Sequence, residues 1–111
     1  MRVAGAVDIG GTRTKIGIVA ARGRIVRRTA IPTPGRDPRA LVDAIGTALR
    51  PLLAQTASGD LAPVIGVSVA GFLDPARSAM IANANLPALC GFPLRRALED
   101  RLGRECRLEV D

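Results

Sequence analysis

The octet Asp8–Lys15, which reads DIGGTRTK, combines the residue types of this chain that are best suited to bind phosphate. It lies between two apolar runs that are typical of strands, Arg2–Ile9 and Ile16–Ala20. The adjacent glycines Gly10 and Gly11 predict a tight turn with free backbone N–H groups. Such amides can approach a polyphosphate closely and bind it, so the octet predicts a phosphate-binding turn.

Asp8 stands at the end of the first predicted strand, directly before this turn. A single carboxylate in that place can hold Mg²⁺, directly or through water, beside the phosphates. The alternative is an ordinary hairpin in which the glycine pair only supplies positive φ angles. The octet matches neither G-x-G-x-x-G nor G-x-x-x-x-G-K-[ST], so it does not indicate a Rossmann or P-loop domain.

Composition indicates one domain. The chain has 111 residues, of which 48% are hydrophobic, enough for a modest core.

Charge and residue types also limit the partners and the compartment that are predicted. The net charge of +6 is scattered and no Trp or Tyr is present for base stacking, so no nucleic-acid partner is predicted. Cys90 and Cys106 lack a metal-binding spacing, no His is present, and no secretory segment is visible, which predicts reduced thiols in the cytoplasm. No membrane partner is predicted, since no 18-residue apolar run occurs.

Periodicity predicts the element order βββαβαβ, an α/β fold. The predicted elements are strands Arg2–Ile9, Ile16–Ala20 and Arg24–Ile31, a helix N-capped by Asp37, strand Val64–Ala70, a loop centred on Met80 and Ile81, a helix from Pro93 to Gly103 and strand Cys106–Val110. Pro51 implies either a kink in the first helix or the start of another. Right-handed crossovers then give a mixed sheet of order 3-2-1-4-5, the ribonuclease-H-like domain of actin, Hsp70 and hexokinase.

In such a sheet, the first turn and the carboxyl ends of the parallel strands open onto one crevice. The Gly turn, the loop at Gly71, the loop Asn83–Asn85 and Asp111 are all predicted to meet there. Four polar or glycine-rich segments at one rim favour a binding site at this position.

The ordered motifs resemble the N-terminal domain of the ROK family, which contains bacterial sugar kinases and sugar-responsive repressors. The segments that carry the resemblance are DIGGTRTKIGIV, IPTPGRDP, IGVSVAGFLDP and ANLPALCGFPLRRALEDRLGRECRLE. They extend from about Val3 to the last residue. The stretch Ala84–Glu109 is most similar to bacterial N-acetylglucosamine kinases and glucokinases.

The resemblance implies ATP-dependent phosphorylation of a hexose or an N-acetylhexosamine at its primary hydroxyl. It implies that the Gly turn approaches the ATP phosphates and Mg²⁺ through Asp8, Gly10, Gly11 and Thr12, with Arg13 or Lys15 as charge partners. It also implies that Gly71 brings the backbone close to a sugar hydroxyl, where a Cβ would obstruct the ligand, and that Asn85, or else Asn83, bonds sugar hydroxyls. The alternative for Asn85 is a turn residue that bonds its own backbone.

At the catalytic base, this chain departs from the family pattern. The reaction needs a group that takes the proton from the sugar hydroxyl as its oxygen attacks the γ-phosphate. In the family this group is an Asp preceded by Asn. A gapless match makes Asp111 the base, with Val110 where Asn is expected. If the strand is instead two residues longer, the base lies beyond this chain.

Residues 1–111 therefore resemble the N-terminal lobe alone, without the C-terminal lobe or its zinc motif of His and Cys. No zinc site is predicted in this chain, and no activity is expected from it alone. The alternatives are a stand-alone sugar- or nucleotide-binding module, or the sensor part of a ROK repressor. An uncovered apolar face of the sheet predicts a homo-oligomer formed through that face.

Overall fold

The computed structural model describes residues 1–110, and Asp111 lies outside this range. Within it, the chain forms a five-stranded sheet, a short separate hairpin and two α-helices. The elements are β1 (Val3–Ile9), β2 (Arg13–Ala20), β3 (Ile25–Pro32), α1 (Pro38–Ala54), β4 (Val64–Val69), β5 (Phe72–Leu73), β6 (Met80–Ala82), α2 (Leu94–Leu102) and β7 (Glu105–Val110). No helix in residues 1–110 has the length and apolarity needed to cross a membrane.

The main sheet has the order β3-β2-β1-β4-β7. β1 pairs antiparallel with β2, β2 antiparallel with β3, and β4 lies parallel to both β1 and β7. This confirms the predicted mixed sheet of order 3-2-1-4-5, with β7 as its fifth strand. The crossovers from β3 to β4 and from β4 to β7 run in the same direction across the sheet. Crossovers of one hand therefore place α1 and α2 on the same face.

Helix α1 begins as the sequence predicts. The Asp37 side chain accepts hydrogen bonds from the N–H groups of Arg39 (3.0 Å) and Ala40 (3.3 Å), directly before Pro38. The helix continues through Pro51 to Ala54, so no second helix starts at the proline. The second helix, α2, ends where Gly103 adopts the left-handed conformation, with φ of 67°.

The core lies between the sheet and the two helices. Alternate residues of each strand face this layer, as β1 shows with its buried Val3, Val7 and Ile9. The helices contribute fully buried aliphatic side chains, including Ile45 and Leu49 from α1. Burying one such side chain contributes about 1.5–3 kcal/mol. The helices thereby fix the orientation of the sheet, whose strand ends carry the candidate site.

The opposite face of the sheet is not covered by either helix. One row across it contains, in register, Lys15, Asp8, Ser68 and Glu109 on neighbouring strands. The next row contains Gly17, Ala6 and Gly66, with Arg28 at one end and Arg107 at the other. In these two rows the outer residues of β4 and β7 are therefore small or polar, whereas the sequence predicts an apolar uncovered face.

The predicted loop around Met80 and Ile81 contains the hairpin β5–β6. Its connection is organised by Asp74, whose carboxylate accepts the Ser78 hydroxyl (2.7 Å) and the Ser78 N–H (2.7 Å). These bonds, led by that of the Ser78 hydroxyl, hold the pKa of Asp74 below its ordinary value. Strands of two and three residues are too short to show an alternating pattern in the sequence.

The two cysteines are expected to differ strongly in reactivity, since Cys90 is exposed and Cys106 is buried. Burial, and then the carboxylates of Glu99 and Glu105, raise the pKa of Cys106 to about 11. The thiolate is the reactive form, so at about pH 8 a disulfide reagent should modify Cys90 rapidly and Cys106 only after unfolding. Cys90→Ser should abolish the rapid phase. A rapid phase that survives this substitution would contradict the burial of Cys106.

Candidate functional site

The turn between β1 and β2 is held in place from the segment that follows β3. The Gly10 N–H donates to the Arg13 carbonyl (3.0 Å), which closes the turn. Thr33 donates its hydroxyl to the Gly10 carbonyl (2.8 Å) and its N–H to the Thr12 carbonyl (2.9 Å). Because the single Thr33 hydroxyl proton is used, the fully buried Thr14 hydroxyl donates to the Thr33 oxygen (2.8 Å). These bonds connect the turn to the segment that follows β3.

The glycines of this turn are required by close approach and not by backbone conformation. Neither Gly10 nor Gly11 has a positive φ angle, so the hairpin alternative based on positive φ is wrong. A Cβ on Gly10 would lie 2.6 Å from the Arg13 carbonyl oxygen. One on Gly11 would lie 3.0 Å from the Cβ of Asn85. Gly10 therefore excludes a larger residue, whereas a Cβ at Gly11 would require Asn85 to move by a few tenths of an ångström.

Two amides of the turn are free to bind a ligand. Among residues 1–110, the N–H groups of Gly11 and Thr12 have no hydrogen-bond acceptor. Both residues are exposed. Adjacent exposed amides with no internal partner are suited to bind an anion such as a phosphate group.

Asp8 lies in the row of the open sheet face described above, between Lys15 of β2 and Ser68 of β4. The Ser68 hydroxyl donates to Asp8 Oδ1 (2.9 Å). Ser68 was missed in the sequence analysis, because the two residues are 60 positions apart and only the parallel pairing of β1 and β4 brings them together. The bond fixes one carboxylate oxygen of Asp8.

The side chains near the turn are better suited to a Mg²⁺ ion that phosphate and water also coordinate than to a metal ion coordinated by protein side chains alone. In the described part of the chain, no cluster of three or more His, Cys, Asp or Glu side chains could hold a metal. Mg²⁺ is usually bound by one or two carboxylates together with phosphate oxygens and water. The single half-buried carboxylate of Asp8, beside the free amides of the turn, is suited to that arrangement.

Arg13 and Lys15 lie next to this group. Both are exposed, and neither forms an ion pair with another residue of the range 1–110. They line an open concavity of about 860 Å³ together with Asp8 and Ser68, extending over the uncovered sheet face. The site therefore offers the positive charges of Arg13 and Lys15 and the carboxylate of Asp8, and Arg28 and Glu109 also line the concavity.

The structure separates the two asparagines that the sequence left as alternatives. Asn83 is buried, its Nδ2 donates to the Ala70 carbonyl (2.9 Å), and its Oδ1 accepts the N–H groups of Asn85 (3.1 Å) and Leu86 (2.8 Å). Its amide is therefore occupied with internal bonds. The Asn85 side chain is exposed and has no hydrogen-bond partner within residues 1–110. Of the two, Asn85 has the exposed side chain whose polar atoms are free.

Gly71 has an internal reason to be glycine. Its φ angle is 123°, a conformation that L-residues rarely adopt. A Cβ there would overlap the Ala82 carbonyl oxygen and lie 2.7 Å from the Met80 methyl carbon. The hairpin β5–β6 thus requires this glycine whether or not a ligand binds nearby. Its predicted contact with a sugar hydroxyl remains a prediction.

Three of the four predicted segments come together. The Gly turn contacts the asparagine loop through Gly11 and Asn85, and Asn83 ties that loop to Ala70, directly before Gly71. The fourth, Asp111, lies outside the described residues, and its role as the base stays a prediction. The assembled features are a turn with two free backbone amides, the Asp8 carboxylate and one free side-chain amide.

Comparison with known proteins places this site in a family. The model of the ROK family matches residues 4–111. The N-acetyl-D-glucosamine kinase of Erwinia tasmaniensis is 36% identical over 106 residues, which cover 94% of this chain and 33% of that protein. The glucokinase of Streptomyces coelicolor is 32% identical over 105 residues, covering 95% of this chain and 31% of that protein.

The fold is also similar to that of a solved structure from the same family. The ROK family glucokinase of Streptomyces griseus, in complex with glucose and AMPPNP, superimposes with a TM-score of 0.84 at 28% identity. The match covers 97% of this chain and 33% of that one. The chain belongs to the ROK family, and its fold is that of the ROK sugar kinases. It spans about a third of the length of the curated relatives that it matches.

Proposed function

We propose that residues 1–111 form the N-terminal nucleotide- and sugar-binding lobe of an ATP-dependent sugar kinase, with the C-terminal lobe outside these residues. The proposal is carried by one observation: the free amides of Gly11 and Thr12 belong to a turn that follows the strand of Asp8 and lies next to the free Asn85 side chain. The relatives named as sugar kinases support a sugar acceptor, and the relative bound to AMPPNP supports ATP as donor. The substrate is a hexose or an N-acetylhexosamine.

In this proposal, the nucleotide phosphates bind at the turn. The N–H groups of Gly11 and Thr12 donate to phosphate oxygens, while Lys15 and Arg13 supply positive charge on the open side. Asp8 would hold Mg²⁺, which would supply charge neutralisation at the phosphates during phosphoryl transfer. The Ser68 hydroxyl keeps one oxygen of that carboxylate in place.

The sugar binds on the other side of the turn. The Asn85 side chain has both a donor and an acceptor to offer to adjacent sugar hydroxyls. The oxygen of the primary hydroxyl attacks the γ-phosphorus while the bond from that phosphorus to ADP breaks and ADP leaves. The hydroxyl proton passes to a base, for which Asp111 is the candidate within this chain. The predicted cytoplasmic location and the predicted homo-oligomer remain predictions.

Nucleotide binding by the 111-residue chain tests this proposal. In ¹⁵N NMR spectra, Mg-ATP should shift the amide signals of Gly10, Gly11 and Thr12 with a Kd in the millimolar range, because one lobe supplies only part of the contacts. Adenosine, which lacks phosphates, should leave these signals in place. Sugar phosphorylation by this chain alone should stay at background, since the reaction needs two lobes to close around the substrates.

The amide signals of Gly10, Gly11 and Thr12 also define the results that would contradict the proposal. If Mg-ATP well above the millimolar range leaves the three amide signals unchanged, the turn is a plain hairpin and the proposal is wrong. If adenosine shifts them as strongly as Mg-ATP does, the site does not recognise phosphate.

A further inference from the structure

The contact between Gly11 and Asn85 joins the two halves of the proposed site. A methyl group on the Cα of Gly11 would lie 3.0 Å from Cβ, 3.4 Å from Cγ and 3.8 Å from Nδ2 of Asn85. The three atoms nearest to that position therefore all belong to this one asparagine. Because Gly11 has no positive φ angle, packing against Asn85 is the reason the structure gives for a glycine here.

Each of the two segments that meet at this contact is also held by hydrogen bonds to another residue. The Asn83 side chain accepts the N–H groups of Asn85 and Leu86, and Leu86 is buried. The turn that carries Gly11 is bonded to the hydroxyl and the N–H of Thr33. A displacement of one partner should therefore affect the other, because the backbone of each is held by these bonds.

In the proposed function, the two partners of this contact bind different substrates: the turn of Gly11 binds the nucleotide, and Asn85 binds the sugar. The free amides of Gly11 and Thr12 are suited to an anion, and the free side-chain amide of Asn85 is suited to hydroxyl groups. A phosphate bound at those amides holds the turn in the position against which Asn85 packs. The side chain of Asn85 then has fewer orientations to lose when a sugar binds.

We propose that the contact between Gly11 and Asn85 couples nucleotide binding to sugar binding within this lobe, with Gly11 as the positioning residue for Asn85. The inference rests on the proposed function, but it does not depend on lobe closure. Coupling between two binding sites is reciprocal, so each ligand must raise the affinity for the other by the same factor. A methyl group at Gly11 should act mainly on the sugar side, because it displaces Asn85 and leaves the Gly11 N–H in place.

The test measures sugar affinity in the 111-residue chain with and without nucleotide. Glucose and N-acetylglucosamine serve as probes, AMPPNP with Mg²⁺ as the nucleotide, and NMR follows the Asn85 side-chain amide. In the unsubstituted chain, saturating nucleotide should lower the Kd of at least one sugar about fivefold. In Gly11→Ala, at nucleotide concentrations that saturate the variant, the sugar Kd should be the same with and without nucleotide, whatever the nucleotide affinity itself becomes.

Gly59→Ala is the matched control, because a Cβ on Gly59 would meet no atom within 4 Å. It should keep the full coupling. If nucleotide shifts the turn signals of the unsubstituted chain but leaves both sugar affinities unchanged, the coupling is wrong and the proposed function stands. If the coupling persists in Gly11→Ala, it does not pass through this contact. If nucleotide shifts no turn signal in the unsubstituted chain, both proposals fail.

Discussion

Asp8→Asn is expected to abolish the Mg²⁺ dependence of nucleotide binding. The substitution removes the charge that holds the cation but keeps an oxygen that can accept the Ser68 hydroxyl, which donates to Asp8 Oδ1 over 2.9 Å. This makes Asn a better replacement than Ala, which would leave a half-buried hydroxyl without its partner. In the unsubstituted chain, Mg²⁺ should tighten ATP binding at least about tenfold, equivalent to about 1.4 kcal/mol. In Asp8→Asn, the ATP affinity should be the same with and without Mg²⁺.

The measurement is an NMR titration of the Gly10 and Thr12 amides with ATP, in the presence of Mg²⁺ or of a chelator. Asp100→Asn is the matched control, because it removes the same charge from an exposed position on α2, where Asp100 makes only a long ion pair with Arg96 (3.9 Å). It should retain the Mg²⁺ effect. An unchanged Mg²⁺ effect in Asp8→Asn would show that the cation is held by the phosphates alone.

The features that the sequence predicted correctly are those set by neighbouring residues. The Asp37 cap followed by Pro38 predicts the start of α1, and Gly103 predicts the end of α2. The apolar run of β4 predicts a strand, and right-handed crossovers then order the sheet. Each of these inferences needs only a short window or a general rule of chain connection.

The features that the sequence could not predict depend on contacts between distant residues. The bond from Ser68 to Asp8 and the clamp of Thr33 on the turn exist only after the strands have paired. Asn83 and Asn85 have the same side chain and are two positions apart. What separates them is that Asn83 finds partners at Ala70 and in the backbone of its own loop, which only the folded chain shows.

Gly71 shows a related limit of sequence analysis. A glycine can be required because a ligand approaches it closely or because another part of the chain does. The sequence alone does not distinguish these two cases. The positive φ angle and the overlap with the Ala82 carbonyl oxygen show that the chain itself requires Gly71. At Gly11, the required space is filled by Asn85, a residue proposed to bind substrate.

The second large effect is expected in the core, where Leu49→Ala should lower the free energy of unfolding by about 2–5 kcal/mol. Leu49 is 0% exposed and lies on α1 against the sheet. The core is built almost entirely from aliphatic side chains, since the chain has only two Phe and no Trp or Tyr. Large aromatic rings that could move into the cavity are therefore scarce. The expected loss is a large fraction of the 5–15 kcal/mol that is typical of a small domain.

Leu52→Ala provides a matched comparison, because it makes the same chemical change on the same helix at a half-buried position. It should cost clearly less than Leu49→Ala. Urea unfolding followed by circular dichroism measures both, since the absence of Trp and Tyr leaves no useful fluorescence signal. Repeating the unfolding at several protein concentrations separates the loss of folding stability from any change in association through the open sheet face. Equal losses for the two substitutions would contradict the packing of α1 on the sheet, and with it the support that this layer gives to the strands of the site.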